Sequence, residues 1–454
     1  MNRTIGDNMS EIGGIGPNPG DTIVALASGA GPAAIAVVRV SGPATREVLE
    51  ALTGGVPEAR HASLRDIGPP HCSLLDRGLV LWFPAPASFT GEDMAELQLH
   101  GSRAVIGELI EAVLSLLGTR LAEPGEFARR AFENGKLDLR QIEGLADLIN
   151  AETRCQREQA LLQAGGFASA RYDVWRQSLL RAQALVEAEL DFADEGDVGV
   201  ATAREARRIV DGLLSEIVEP LKGKGERLRD GVRIVIAGAP NAGKSSLMNA
   251  LAKRDVAIVS EEAGTTRDVI EVHLDLGGVP VILTDTAGLR EAAGQVEAEG
   301  VRRALARAEA ADVVLWLVDA TAPVWEPPAA LKAKSCVVAL NKIDLAPGAG
   351  EGRNALPVSA RTGQGLEGLI GTLEDQAALA TEGGAGSPLI TQARHRVELE
   401  GTRDALQRFG DASLSPELKA EELRIAAHHL GRLTGRIDVE EVLGAIFAEF
   451  CIGK

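Results

Sequence analysis

The chain has 454 residues, of which 45% are hydrophobic and 25% charged, and its formal net charge is −18. That length exceeds the roughly 250 to 300 residues at which a single core stops growing, so several domains are required. The acidic balance opposes non-specific nucleic-acid binding, which depends on Lys and Arg neutralising phosphates, and a 3% aromatic content argues against a base-stacking platform.

The opening "MNRTIGDNMSEIGG" carries no apolar run of the signal-peptide kind, and no stretch reaches the ~18 apolar residues of a membrane span. A cytoplasmic protein is expected, with residues 1–20 reading as a disordered extension. Short apolar runs follow, "TIVALA" from Thr22, "AAIAVVRVS" from Ala33, "LVLWF" from Leu79 and "MAELQLH" from Met94, punctuated by Gly and Pro. They predict the strands of an α+β domain over residues 21–136. Between 137 and 230 the chain turns to helical Ala, Leu, Glu and Arg-rich stretches. The densest basic run, "KGKGERLRDGVR" from Lys222, reads as a solvated helix end, with a tRNA contact as the alternative.

Alternating strands and helices from 231 to 378 predict a doubly wound parallel sheet. A Gly-rich linker, 379–388, leads to further helices over 389–454. One of them starts at Ser415 and Pro416, an N-cap and first-turn pair, and aligns Leu423, Ala427, Leu430 and Leu433. This last segment is too small to fold alone, so it is expected to pack on the helices before Val232 and leave the α/β unit as an insertion. Cys72, Cys155, Cys336 and Cys451 are far apart and form no CxxC pair, which supports neither a disulfide framework nor a zinc site.

"GAPNAGKS", Gly238 to Ser245, fits the phosphate-binding pattern GxxxxGK[ST] between a strand and a helix. Asn241, Ala242, Gly243 and the following Ser246 belong to this loop. Its glycines let backbone N–H groups wrap the phosphates, Lys244 supplies charge to the β and γ phosphates, and the Ser245 hydroxyl ligates Mg²⁺. "DTAG" provides Asp285 to hold Mg²⁺ through water, followed by Thr286, Ala287 and the Gly288 amide that senses the γ-phosphate. "AGTTRD" offers Thr266 as a second metal ligand. In "NKID" Asn341, Lys342 and Asp344 line a base site, and Asp344 can accept from the ring N–H and amine of guanine. Adenine has neither donor there, so the site is for GTP. Ser359, Ala360 and Arg361 complete the base pocket.

The residue after "DTAG" is Leu289, which cannot orient the attacking water as a glutamine does in many GTPases. Arg267 and Arg290 are candidates for a charge-stabilising arginine, and Glu291, Glu297 and Glu299 for a water-positioning carboxylate. The residues alone leave that choice open.

With these motifs in place, the chain resembles the tRNA-modifying GTPase family MnmE, also called TrmE. The resemblance is carried by "SFTGEDMAELQLHGS", "EPGEFARRAFENGKLDLRQIEGLADLI", "GAPNAGKSSLMNAL", "AIVSEEAGTTRD", "DTAGLRE" and the terminal "CIGK". It implies a multidomain α/β protein: an N-terminal α+β folate-binding and dimerisation domain, a discontinuous helical domain and an inserted Ras-like P-loop G domain. It also implies a homodimer whose G domains pair when GTP and K⁺ bind. The switch loop Ser260, Glu261, Glu262, Ala263, Gly264 and Thr265 would contact the nucleotide, and Asn241, Ser260, Glu262 and Thr265 would ligate K⁺. Glu297 matches the family's water-orienting glutamate.

The family acts with the flavoprotein MnmG, which brings the FAD, to add an aminomethyl or carboxymethylaminomethyl group to C5 of the wobble uridine of certain tRNAs. The carbon derives from a tetrahydrofolate, as the methylene or 5-formyl form, and matching folate contacts are Arg39, Glu96, Lys136 and Lys454. "CIGK" would lie beside that pocket, where Cys451 is a candidate for the modification chemistry. The stretch "ASGAGPAAIAVVRVSG" departs from the Pro and Gly-rich run usual in the family. Two other readings compete: a GTPase switch for RNA or ribosome assembly, and a folate enzyme that GTP only regulates.

Overall fold

The computed structural model describes residues 20–29, 31–69, 74–191, 196–258, 271–285, 311–328, 331, 335–381, 389–435, 437, 446 and 453. The chain divides into two compact units, residues 1–142 with 438–454, and residues 143–437.

The first unit is built on a six-stranded sheet. Its strands are β1 (Thr22–Leu26), β2 (Ala33–Ser41), β3 (Ser63–Ile67), β4 (Asp76–Phe83), β5 (Met94–Gly101) and β6 (Thr119–Leu121). They lie in the order β3-β4-β5-β2-β1-β6, antiparallel except for β1 against β6. The two-residue period of a strand sends side chains to opposite faces. On one face Val24, Val38, Val40, Val80 and Leu97 pack with α1 (Thr45–Thr53) and α2 (Arg103–Leu114) through Leu49, Leu52, Leu109 and Val113. On the other, Ile23 and Ala25 meet Phe127 of α3 (Glu126–Glu133). The predicted strands from Thr22, Ala33, Leu79 and Met94 are all present. β3 and β6 are additional, short and rich in charge, so they lack an apolar signature.

The second unit contains most of α4 (Leu139–Ile149), then α5 (Arg154–Ala164), α6 (Phe167–Asp191), α7 (Gly196–Lys222) and α8 (Gly225–Asp230). A capping box starts α5, in which the Thr153 side chain accepts from the Gln156 N–H and Gln156 reaches back. The parallel sheet follows: β7 (Val232–Gly238), α9 (Lys244–Leu251), β8 (Glu271–Leu276), β9 (Val279–Asp285), β10 (Val313–Asp319), β11 (Ser335–Asn341), β12 (Leu356–Pro357) and α10 (Leu366–Ala380). The strand order is β12-β11-β10-β7-β9-β8, with only β8 antiparallel. The carboxyl ends of β7 and β10 are adjacent, where the order switches direction and ligands settle in such sheets.

After the sheet come α11 (Ala393–Phe409) and α12 (Pro416–Leu433). They share one core with α6 and α7, in which Tyr172, Trp175, Leu399, Phe409, Leu423 and Leu430 are buried. The α/β unit is therefore an insertion between two stretches of one helical bundle. Ser415 sits at the N-cap of α12 but makes no capping bond to the backbone; its hydroxyl bonds the Glu417 carboxylate instead.

A buried polar triad ties α4 to α11. Glu143 and His395, both fully buried, meet at 3.0 Å between Oε2 and Nε2, and Arg394 binds Glu143 Oε1. His395 Nδ1 accepts backbone N–H groups from Gln392 and Thr391, so Nε2 carries the proton and donates to Glu143. The run from Lys222 begins as a solvated helix end, with Lys222 closing α7 at the surface beside Glu219, but its arginines are tied down. Arg227 pairs with Asp312 at 2.8 Å, Arg229 with Asp147 at 2.7 Å, and the Gln156 amide donates to the Arg229 carbonyl. These bonds join α4 and α5 to the start of the sheet, and a sequence cannot disclose which acids face such a run.

Candidate functional site

The phosphate loop leaves β7 at Gly238 and enters α9 at Lys244. Its turn needs left-handed backbone at Asn241, φ 63°, and Gly243, φ 94°, the latter being the N-cap of the helix. Lys244 is buried and donates to the carbonyls of Gly238 and Ala239, both at 3.0 Å. Burial pushes its ammonium below the ordinary lysine value, against the opposing pull of the nearby Asp285 carboxylate. Ser245 Oγ donates to Asp285 Oδ2 at 2.6 Å, at the end of β9. A hydroxyl and a carboxylate converging at the helix start form a hard-oxygen donor set that fits Mg²⁺. Asn241 and Ser246 are exposed on the loop's outer side, and Ala242 is buried beneath it.

The base pocket is tied to this loop by one side chain. Asn341, 2% exposed at the end of β11, donates from Nδ2 to the Ala242 carbonyl at 2.9 Å and accepts the Ala360 N–H on Oδ1 at 3.0 Å. Ser359 is fully buried and donates to Asp344 Oδ1 at 2.7 Å. The other oxygen of Asp344 has no hydrogen bond among the described residues. Lys342, at φ 66°, sends Nζ to Asp319 Oδ2 at 2.5 Å. Arg361 is exposed at the rim.

In the first unit Arg39 and Glu96 stand directly opposite on β2 and β5. Arg39 Nε and Nη2 both bind Glu96 Oε1, at 3.1 and 2.8 Å, and Glu96 Oε2 has no hydrogen bond among the described residues. The Arg39 guanidinium lies 5.4 Å from the Phe89 ring centroid and 5.6 Å from that of Phe127. Lys136 donates to the Pro86 carbonyl at 3.0 Å and lies against Gly91, so it packs on the loop that carries Phe89. The remaining oxygen of Glu96, beside the Arg39 guanidinium, could accept from N–H donors of a ligand such as a pterin.

Gly453 is buried against β1, with φ 105°, and a Cβ there would overlap the Leu26 carbonyl. Ala25, the neighbour of Leu26, pairs in register with Arg39. Phe89, Phe127 and Gly453 escaped the sequence reading of this site. All three fall within the motifs that carry the family resemblance, but nothing in the spacing marks them as neighbours of Arg39.

The same unit holds a partly buried ionic network. Glu126 accepts from Arg120 and Arg130, Arg130 reaches Glu92 at 3.0 Å, and Ser41 donates to Glu92 at 2.8 Å. Burial would raise the Glu126 carboxyl, but bonds from Arg120, the Glu123 N–H and Arg130 outweigh it and hold the group below its ordinary value.

Ser260, Glu261, Glu262, Ala263, Gly264, Thr265 and Thr266 lie outside the described residues, as do Thr286, Ala287, Gly288, Glu297, Cys451 and Lys454. Among the described residues no helix is long and apolar enough to cross a membrane.

A family model described as the GTP-binding protein TrmE N-terminus matches residues 22–136, and one described as the MnmE helical domain matches 139–451. The chain is 51% identical over 463 residues to a tRNA modification GTPase MnmE of Rhodopseudomonas palustris (strain BisB5), covering 96% of this chain and 100% of that one. It is 53% identical over 444 residues to the protein of that name from Parvibaculum lavamentivorans, with the same coverage. Identity at this level extends over nearly the whole chain, and the chain belongs to the MnmE (TrmE) family of tRNA modification GTPases.

Proposed function

We propose that the protein is a K⁺-activated cytoplasmic GTPase that acts as a homodimer with the flavoprotein MnmG on tRNA. Together they would add an aminomethyl or carboxymethylaminomethyl group to C5 of the wobble uridine, with a carbon drawn from a tetrahydrofolate derivative. The observation that carries the GTP part is the Asp344–Ser359 pair beside an Asn341 that ties base pocket to phosphate loop. Ser359 fixes one oxygen of Asp344 and leaves the other for the two donors of guanine. With adenine the acceptor positions left for guanine would be desolvated and unfilled, at a cost of about 1 to 3 kcal/mol.

Lys244, desolvated against the loop carbonyls, interacts more strongly with phosphate than an exposed lysine would. Ser245 and Thr266 would hold Mg²⁺, with Asp285 binding through water, and the ion would supply charge for the β and γ phosphates. Asn241, Ser260, Glu262 and Thr265 would hold K⁺. Glu297 would orient the attacking water once two G domains pair across their switch loops. Arg39, Glu96, Lys136 and Lys454 would bind the folate, in a domain spanning 21–136 that also dimerises, and Cys451 would take part in the modification.

The test compares wobble-uridine nucleosides of total tRNA, by mass spectrometry, in cells lacking the gene and in complemented cells, beside GTP turnover of the purified protein in KCl and in NaCl. Loss and return of the aminomethyl-type uridines, with turnover faster in KCl, is expected. Unchanged nucleosides refute the tRNA reading, and equal turnover in the two salts refutes K⁺ activation.

A further inference from the structure

We propose that Asp319, at the carboxyl end of β10, is a positioning residue for guanine recognition that holds Lys342 in its binding conformation. This rests on the GTP reading above and adds a residue that the motifs do not contain.

β10 is buried along its whole length and pairs in parallel with β11, which sets Asp319 directly opposite Asn341. Asp319 is 9% exposed, and its two carboxylate oxygens are divided between two tasks. Oδ1 accepts the Thr321 N–H at 2.8 Å and its hydroxyl at 2.7 Å, closing the turn after the strand. Oδ2 accepts Lys342 Nζ at 2.5 Å. Burial alone would raise this carboxyl; the bonds from Lys342 and Thr321 outweigh it and keep it charged.

Lys342 stands between Asn341 and Asp344, so its stem runs from the base pocket to the strand end. A lysine has a flexible four-carbon stem, and ordering it on binding costs affinity. Asp319 supplies that order in advance. Asp319→Asn keeps an oxygen for Thr321 and removes the charge that holds Lys342, so the variant separates the two tasks.

The experiment measures affinity and release of a fluorescent GDP for the full chain, for Asp319→Asn, for Lys342→Ala and for the double variant. Asp319→Asn should bind roughly three- to tenfold more weakly through faster release, and should add no further loss in the Lys342→Ala background. An undiminished loss in that background makes Asp319 a merely structural turn residue and overturns the proposal, as does wild-type affinity in Asp319→Asn. If Asp319→Asn does not fold, Asp319→Ser keeps the turn-closing oxygen and repeats the comparison; failure of both to fold also overturns it. A wild-type chain that does not prefer GDP to ADP refutes the GTP reading itself, before any variant is made.

Discussion

Adding one methyl group at Gly243 should disable nucleotide binding by dislodging Asn341 as well as by straining the loop. Gly243 holds φ 94° and ψ 27°, a left-handed conformation that costs an L side chain about 1 to 2 kcal/mol. A Cβ there would also overlap Asn341 Nδ2. Asn341 is not a free end that can swing away: it is 2% exposed and bonded to the Ala242 carbonyl and the Ala360 N–H. Moving it forfeits two hydrogen bonds of roughly 1 kcal/mol each. The sum of about 3 to 4 kcal/mol corresponds to a loss of affinity of more than a hundredfold. Fluorescent-GDP titration of Gly243→Ala reads this directly. The overlap also predicts non-additivity, because Gly243→Ala should cost much less in an Asn341→Ala background. Binding within about threefold of wild type for Gly243→Ala, or strict additivity in the double variant, refutes the reasoning.

Glu143→Gln should destabilise the helical bundle by about 3 kcal/mol, because one amide cannot accept from both Arg394 and the buried His395 Nε2–H; scanning calorimetry should show a lower midpoint for the second unit, and an unchanged midpoint would count against the triad. The depressed Glu126 carboxyl stabilises the first unit above its unfolded value near 4.5 and loses that contribution as pH falls through the lower folded value. Stability of this unit should therefore hold from neutral pH to about 5 and decline below, and Glu126→Gln should flatten that decline in acid-unfolding curves. Glu96→Gln should weaken binding of 5-formyltetrahydrofolate roughly tenfold by removing a charged acceptor, while GTP turnover stays at the wild-type rate. Equal folate affinity in equilibrium dialysis would remove Glu96 from that site.

The phosphate loop and "NKID" were legible because consecutive residues perform each task, and local backbone geometry follows from local residues. The same holds for β2, whose limits Ala33 and Ser41 coincide with the predicted apolar run. β3 and β6 were not legible, since short edge strands with charged residues carry little hydrophobic signal. Nor were the relations that complete the sites. Asn341 meets Ala242 across 99 residues, Arg39 meets Glu96 across 57, and His395 meets Glu143 across 252. The sequence by itself determined which segments carry phosphate and base chemistry. Only the tertiary structure decided that Asn341 ties the two together, that Asp319 holds Lys342, and that Gly453 returns to the strand beside Arg39. Such pairings are set by strand register and by which faces share a core, which are properties of segments meeting in space that no single stretch of chain encodes.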